Sequence, residues 1–309
     1  MFGTLFNKTT LPGIFAIGVD TEGIAVVRVL TKPGQRPMVQ AGLYFPCDDN
    51  VTLDALMEAV AQKYHLHEGV CSLVLEGNDY RLLLTDAPDV PVEERVAALR
   101  WRIKDLIDAQ VSDITIDVFD VPHTATTPAS AVYVVAAHNE VIMQHVNRLK
   151  AAKVNLQIID IAEMAQRNIA SLLPEDAAGV ATLALRPHFS LITVSRAGEL
   201  YFSRTLNVGL DNIRDRQQHE SSISQIANEL QRSLDYYESH FRQEPIRQVA
   251  LLPLPSEMMD LLEYLRQNLS VEVKVVDLNE LVDHAVDLSQ DLQAKLFLPF
   301  GAALREQAA

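Results

Sequence analysis

Cysteine is nearly missing: Cys47 and Cys71 are the only two in 309 residues. Two distant cysteines build neither a disulfide framework nor a CxxC motif, so a reducing compartment is the simplest reading. Tryptophan occurs once, at Trp101. Basic side chains are also short: 26 Lys and Arg face 41 Asp and Glu, a formal net charge of −15. That field repels phosphate backbones, and no run of five Lys/Arg offsets it, which excludes general nucleic-acid binding. It equally opposes direct docking on anionic lipid heads. Long apolar runs are absent near the N-terminus. The best, Leu11 to Val19, has nine residues and contains Pro12, against about 20 for a membrane helix. Neither a signal peptide nor a transmembrane span is expected. N-x-S/T sequons start at Asn7, Asn50 and Asn268. Without secretion they carry no meaning.

What is present is an ordinary globular composition, 48% hydrophobic and 22% charged, long enough for roughly two domains. Its organisation is more informative. Ile14–Val19 reads as a buried strand, Asp20-Thr21-Glu22-Gly23 as a turn, and Ile24–Leu30 as a second strand. Met38–Phe45 is a third. Thr52 then caps a helix whose apolar positions Leu53, Leu56, Met57, Val60 and Tyr64 have helical spacing. Val70–Leu75 follows as a strand. From Gly179 the order recurs. Strands are expected at Val180–Leu185, Phe189–Ser195 and Leu200–Val208, with Arg186-Pro187-His188 at the first turn. A long helix follows, carrying Ile223, Ile226, Leu230, Leu234, Tyr237 and Phe241 at steps of three and four. Strand Val249–Leu254, a helix capped by Ser256, strand Val271–Val276 and a last helix from about Leu288 complete the half. Matching order across two halves is a duplication.

The first half carries extra chain, roughly Asp79–Ala137: strand Tyr80–Thr85, helix Pro91–Gln110, strands Ile114–Val121 and Ala131–Ala137, and a polar loop Thr124–Ser130. Val96, Leu99, Ile103, Leu106 and Ile107 form the expected buried stripe of that helix. Trp101 is expected in a core or intermodule contact. Helix Asn139–Ala151, strand Leu156–Ile161 and helix Ala162–Leu173 then rejoin the pattern.

These stretches resemble one family: Ile17-Gly18-Val19-Asp20 with its hairpin, Pro91-Val92-Glu93-Glu94-Arg95, Val132-Tyr133-Val134-Val135-Ala136-Ala137, Ile158-Ile159-Asp160-Ile161, Gly198-Glu199-Leu200-Tyr201-Phe202-Ser203-Arg204 and Gly301-Ala302-Ala303-Leu304-Arg305. In this order they resemble the PilM family of actin-like type IV pilus assembly proteins, most of all its MshI branch, which serves mannose-sensitive haemagglutinin (MSHA) pili. The resemblance implies an α/β fold of duplicated actin-like (ribonuclease H-like) βββαβαβα halves with an inserted strand–helix–strand–strand module in the first. The expected divisions are 1–78 with 138–173 for the first half, 79–137 for the module, and 174–309 for the second half.

An actin-like nucleotide site needs a phosphate hairpin from each half, with an acid for the metal shell and small residues whose N–H groups meet the phosphates. Here the first hairpin keeps Asp20, Thr21 and Gly23, but Glu22 places a carboxylate where phosphate would approach. The second, Arg186, Pro187 and His188, has neither acid nor glycine. Pro187 lacks an N–H, and Phe189 adds bulk. The strand end expected to meet adenine runs Leu251-Leu252-Pro253-Leu254-Pro255-Ser256, without the usual Gly-Gly. Both hairpins are therefore read as vestigial. No catalytic residue, cofactor or metal is expected, and Asp20 would hold a metal only if Mg-ATP bound. The family's partner is the cytoplasmic N-terminal tail of a PilN-like inner-membrane protein. The resemblance thus implies a scaffold at the cytoplasmic face of the bacterial inner membrane, held there only through its partner, with self-association open. The tail groove is expected among Tyr80–Thr85, the Arg95–Lys104 helix face and the first-half core. Two alternatives remain: an actin-fold ATPase with an atypical site, and the cytoplasmic module of a type II secretion assembly protein. The latter is normally followed by a transmembrane helix, and none is expected before Ala309.

Other motifs read more plainly. Gly18-x4-Gly23 is followed by Ile24 and Ala25 rather than Lys and Ser/Thr, so it is a hairpin turn and not a P-loop. No G-x-S-x-G elbow occurs. His65-x-His67 with Glu68 offers metal ligands, but its place past a helix end favours a solvated cap. His138 and His145 read as surface residues.

Overall fold

The computed structural model describes residues 11–48, 51–107, 110–122 and 131–305; the loop expected at Thr124–Ser130 falls outside them. The first half opens with β1 (Leu11–Asp20), β2 (Gly23–Leu30) and β3 (Met38–Pro46), then α1 (Leu53–Lys63) and β4 (Gly69–Leu75). The module follows as β5 (Arg81–Asp86), α2 (Val92–Arg102), β6 (Ile114–Asp120) and β7 (Ala131–His138). The chain returns through α3 (Asn139–Ala151), β8 (Leu156–Ile161) and α4 (Ala162–Ala170). The second half is β9 (Val180–Leu185), β10 (Ser190–Arg196), β11 (Glu199–Leu206), α5 (Leu210–Arg214), α6 (His219–Phe241), β12 (Gln248–Leu251), α7 (Met259–Asn268) and β13 (Glu272–Val275). It closes with α8 (Leu278–Leu281), β14 (Asp283–His284) and α9 (Gln290–Ala303).

The duplication is visible in the sheets. The first runs β14-β3-β2-β1-β4-β8 and the second β11-β10-β9-β12-β13. Apart from β14 the two orders are the same. Each half has antiparallel pairs through its opening hairpins, then parallel pairs outward. The strands at the centres are buried on both faces, as sheets sandwiched between helices require. Thr52 caps α1 as its position predicts, its Oγ1 accepting from Ala55 N at 3.2 Å. In α6 every residue of the apolar stripe named from its spacing is buried.

Several local expectations are corrected. α2 ends at Arg102 and a 3-10 turn follows at Ile103–Leu106, so the helix does not reach Gln110. Its stripe keeps Leu99, Ile103 and Ile107 inside, while Val96 and Leu106 are exposed. The short helix packs on the module's three-stranded sheet through Leu99, and Ile103 and Ile107 after it continue the contact. Trp101 faces outward and is 70% exposed, so it makes no core contact. Ser256 does not cap α7; a 3-10 turn at Ser256–Met258 intervenes.

α9 and β14 belong to the second half in sequence but pack on the first. β14 pairs in parallel with β3. α9 lies over β1, β2 and β4 and crosses α4. Gly301 is required at that crossing: a Cβ there would sit 2.1 Å from the Ala165 carbonyl oxygen. Asn168 Nδ2 donates to the Gly301 carbonyl at 2.9 Å beside it. The two halves are thus joined by small residues at van der Waals contact, with one core cluster spanning α4, α9 and both sheets.

Candidate functional site

The first hairpin, between β1 and β2, faces the second, between β9 and β10, across the cleft. Asp20 closes its own turn, with Oδ1 accepting from Glu22 N at 2.8 Å and Gly23 N at 2.9 Å. The N–H groups a phosphate would need are therefore already engaged. Gly23 is explained by the sheet: a Cβ would lie 2.2 Å from the Phe45 carbonyl oxygen of β3. Glu22 pairs with Lys295 of α9, and that hydrogen bond, against a smaller effect of burial, holds its carboxyl below the ordinary range.

Arg186 fills the space between the hairpins. Its side chain is 7% exposed. Nε donates to Glu76 Oε2 at 2.6 Å and Nη2 to Glu76 Oε1 at 3.0 Å, a bidentate pair. Nη2 also reaches Asp20 Oδ2 at 3.1 Å. The guanidinium lies over the Phe297 ring, 5.8 Å from its centroid. Burial opposes the charge, but Glu76 and Asp20 outweigh it and hold the Arg186 pKa above its ordinary value. Burial dominates at Glu76 and pushes its carboxyl up against the pull of Arg186. We read the group as an ion pair, because guanidinium does not deprotonate in proteins and the geometry is bidentate.

The second hairpin is fixed from behind. The carbonyls of Arg186 and Pro187 accept from Leu210 N at 2.8 Å and Asp211 N at 2.9 Å. Gly209 permits this, since a Cβ would come within 2.4 Å of both carbonyl oxygens. Phe189 swings toward the other half; a Cβ on Gly77 would stand 2.6 Å from its ring. His188 is exposed and pairs with Asp211 at 3.1 Å. The structure thus brings Asp20 and Arg186 together and leaves Pro187 and His188 outside the contact. Sequence reasoning missed Glu76 and Lys295, the partners of Arg186 and Glu22. Thr21 is exposed on the turn.

A second feature lies between the module and the second half. A cavity of about 620 Å³ is lined by Tyr80–Leu84 of the β5 region and by Phe202, Ser203 and Thr205 of β11. β5 and β11 are both end strands of their sheets, so two strand edges border one cavity. At its floor Tyr80 OH donates to Glu163 Oε2 and accepts from Ala162 N at 3.1 Å. Burial pushes the Glu163 carboxyl up, against the hydrogen bonds from Tyr80 and Ser203. No residue of α2 lines this cavity; α2 packs on the module's own sheet. His145 is not a surface residue either: it is largely buried and meets Asp79 at 3.2 Å.

No protein-family model matches the sequence, and no curated protein matches it. Solved structures do. A PilM–PilN type IV pilus biogenesis complex is 18% identical, with 94% of this chain and 98% of that chain covered at a TM-score of 0.74. A Bacteroides thetaiotaomicron protein with an actin-like ATPase fold and unknown function is 11% identical, covering 95% and 98% at 0.52. The cytoplasmic domain of EpsL, an inner membrane component of the Vibrio cholerae type II secretion system, is 10% identical, covering 91% and 92% at 0.51. At such identities the likeness speaks for the fold, which is actin-like. Among the described residues no helix is long and apolar enough to cross a membrane.

Proposed function

We propose that this chain is a non-catalytic actin-like scaffold of type IV pilus biogenesis, of the MSHA type. It works in the cytoplasm at the inner-membrane face and docks on the N-terminal tail of a bitopic PilN-like protein. The observation that carries the reading is Arg186. Its fixed charge pairs with both Asp20 and Glu76 from inside the chain, so the carboxylates that would attract a metal already share a cation. Pro187 offers no N–H, and the first hairpin's donors point at Asp20. Such a cleft is held shut without nucleotide and gains nothing from magnesium.

The tail's place is the cavity between β5 and β11. Strand edges add an extended peptide through main-chain hydrogen bonds, with side-chain pockets setting specificity. A juxtamembrane tail is basic by the positive-inside bias, and a chain of net charge −15 suits it. The likeness to a PilM–PilN complex supports this partner class. The likeness to a type II secretion cytoplasmic domain favours a second reading, in which the same fold serves that machine.

Two measurements test the proposal. Calorimetry with Mg-ATP is expected to give no heat up to millimolar nucleotide. Magnesium-dependent heat abolished by Asp20→Ala would install the ATPase reading instead. Fluorescence anisotropy of a labelled PilN-type tail peptide is expected to rise with this protein in the absence of nucleotide. No binding, or binding that requires ATP, overturns the scaffold.

A further inference from the structure

The segment just after α1 holds a site outside both features above. α1 is capped by Tyr64, whose N–H donates to the Val60 carbonyl. His65 then adopts a left-handed backbone, φ 55°. Leu66 turns fully inward and anchors the turn. Its N–H donates to Ala61 O at 3.0 Å, and its carbonyl accepts from Asn155 N at 3.2 Å. Glu68 N donates back to His65 O at 2.9 Å. With Leu66 pinned inside, His65 and His67 project outward on one side, their ring centroids 5.9 Å apart.

Neither imidazole caps the helix, so the solvated-cap reading does not describe their contacts. Both turn to one carboxylate oxygen: His65 Nδ1 is 3.5 Å and His67 Nε2 is 3.4 Å from Glu68 Oε1. One ligand atom from each of the three residues lies within 4.8 Å of the others. Zinc sits about 2.0–2.2 Å from nitrogen and carboxylate oxygen, so neighbouring donors in a tetrahedral shell stand about 3.3–3.6 Å apart. The two nitrogen–oxygen distances already have that value.

We propose that His65, His67 and Glu68 form a surface zinc site, with water in the fourth position. Two neutral imidazoles and a carboxylate are the donor set borderline divalent metals favour over magnesium or calcium. The carbonyl end of α1 adds negative potential at the same place. The backbone of the turn is already hydrogen-bonded, so the metal gathers side chains alone. The side chains are 61%, 54% and 43% exposed, which leaves the entry path open. Bound zinc ties the α1–β4 connection across three residues and stabilises the native chain by mass action.

The test is calorimetric titration of the tag-free full-length protein with zinc chloride. One equivalent is expected to bind, and His67→Gln or Glu68→Gln is expected to weaken it by at least about tenfold. Because these side chains are exposed, both variants should melt like the parent without metal, which separates ligand loss from misfolding. His188→Gln, a distant exposed histidine, should bind zinc like the parent, and magnesium should give no heat. Cobalt in place of zinc should show the intense visible bands of tetrahedral coordination. No saturable zinc binding, affinity unchanged in the His67 and Glu68 variants, or weak octahedral-type cobalt bands would each overturn the site.

Discussion

Replacing Arg186 by methionine removes the cation and keeps much of its aliphatic length. Glu76, whose side chain is 16% exposed, then loses both hydrogen bonds of the bidentate pair. Asp20 loses a weaker contact but remains 25% exposed and partly solvated. The damage therefore falls on Glu76. Breaking a buried pair by removing one partner costs about 3–5 kcal/mol, because the other charge stays buried and unpaired. Domains of 150–250 residues lose about 2–4 °C per kcal/mol, and a chain of this size sits at the low end. Arg186→Met should thus melt about 6–10 °C below the parent. Removing both charges has a different outcome. In Arg186→Met/Glu76→Leu the buried Glu76 charge is gone too and only the partly solvated Asp20 is left unpaired, and replacing a buried pair with apolar groups is often neutral or stabilising. The double variant should recover most of the loss. Urea denaturation of the four proteins gives the cycle and its coupling energy. If Arg186→Met lies within about 1 kcal/mol of the parent, or the double variant shows the sum of the single losses, Arg186 is not the internal counterion inferred here.

Three further perturbations probe other parts of the fold. Gly301→Val drives a Cβ to within 2.1 Å of the Ala165 carbonyl; overpacking of this kind costs about 1–3 kcal/mol or more, and a melting temperature equal to the parent's would refute the close α4–α9 crossing. Thr52→Ala removes the acceptor for Ala55 N and should cost about 1 kcal/mol in urea denaturation. Glu163→Gln tests the buried carboxyl under the cavity. Its folded pKa is raised above the unfolded value of about 4.3, so its stabilising contribution is complete below that value and lost as pH rises through the folded one. Glutamine keeps an acceptor for Tyr80 and cannot ionise. The variant's stability relative to the parent should therefore increase from pH 4.5 to pH 8 in urea midpoints, and a constant difference would contradict the shift.

Much of the fold is legible in the sequence because it is built from local signals. β9 coincides with the apolar run Val180–Leu185, and the first opening hairpin is marked by Asp20-Thr21-Glu22-Gly23. The cap at Thr52 and the stripe of α6 depend only on spacing along one element. What escaped depends on contacts between distant segments. Arg186 sits in a turn, where a charged residue ordinarily reads as solvated, and its partner Glu76 lies 110 residues away. α9 reads as an apolar helix, yet helical period names a buried face and not the sheet that covers it. Its run Leu296-Phe297-Leu298-Pro299-Phe300 is buried all round, which is the pattern of a helix enclosed on every side.

One long-range signal was present in the duplication itself. β1 ends at Asp20 and β9 ends at Leu185, so Asp20 and Arg186 occupy nearly matching positions in the two halves. Pseudo-symmetry brings such positions face to face across the cleft. Two carboxylates there would repel and call for a cation from outside. A carboxylate and a guanidinium attract and need none. Arg186 thus places a cation of the chain itself between Asp20 and Glu76. Pro187 and the engaged N–H groups of Glu22 and Gly23 act in the same direction. On the proposed scaffold reading, a cleft bridged by its own side chains would keep the placement of β5 and β11 independent of nucleotide. The proposed docking cavity, bordered by strands from two different units, needs that constancy.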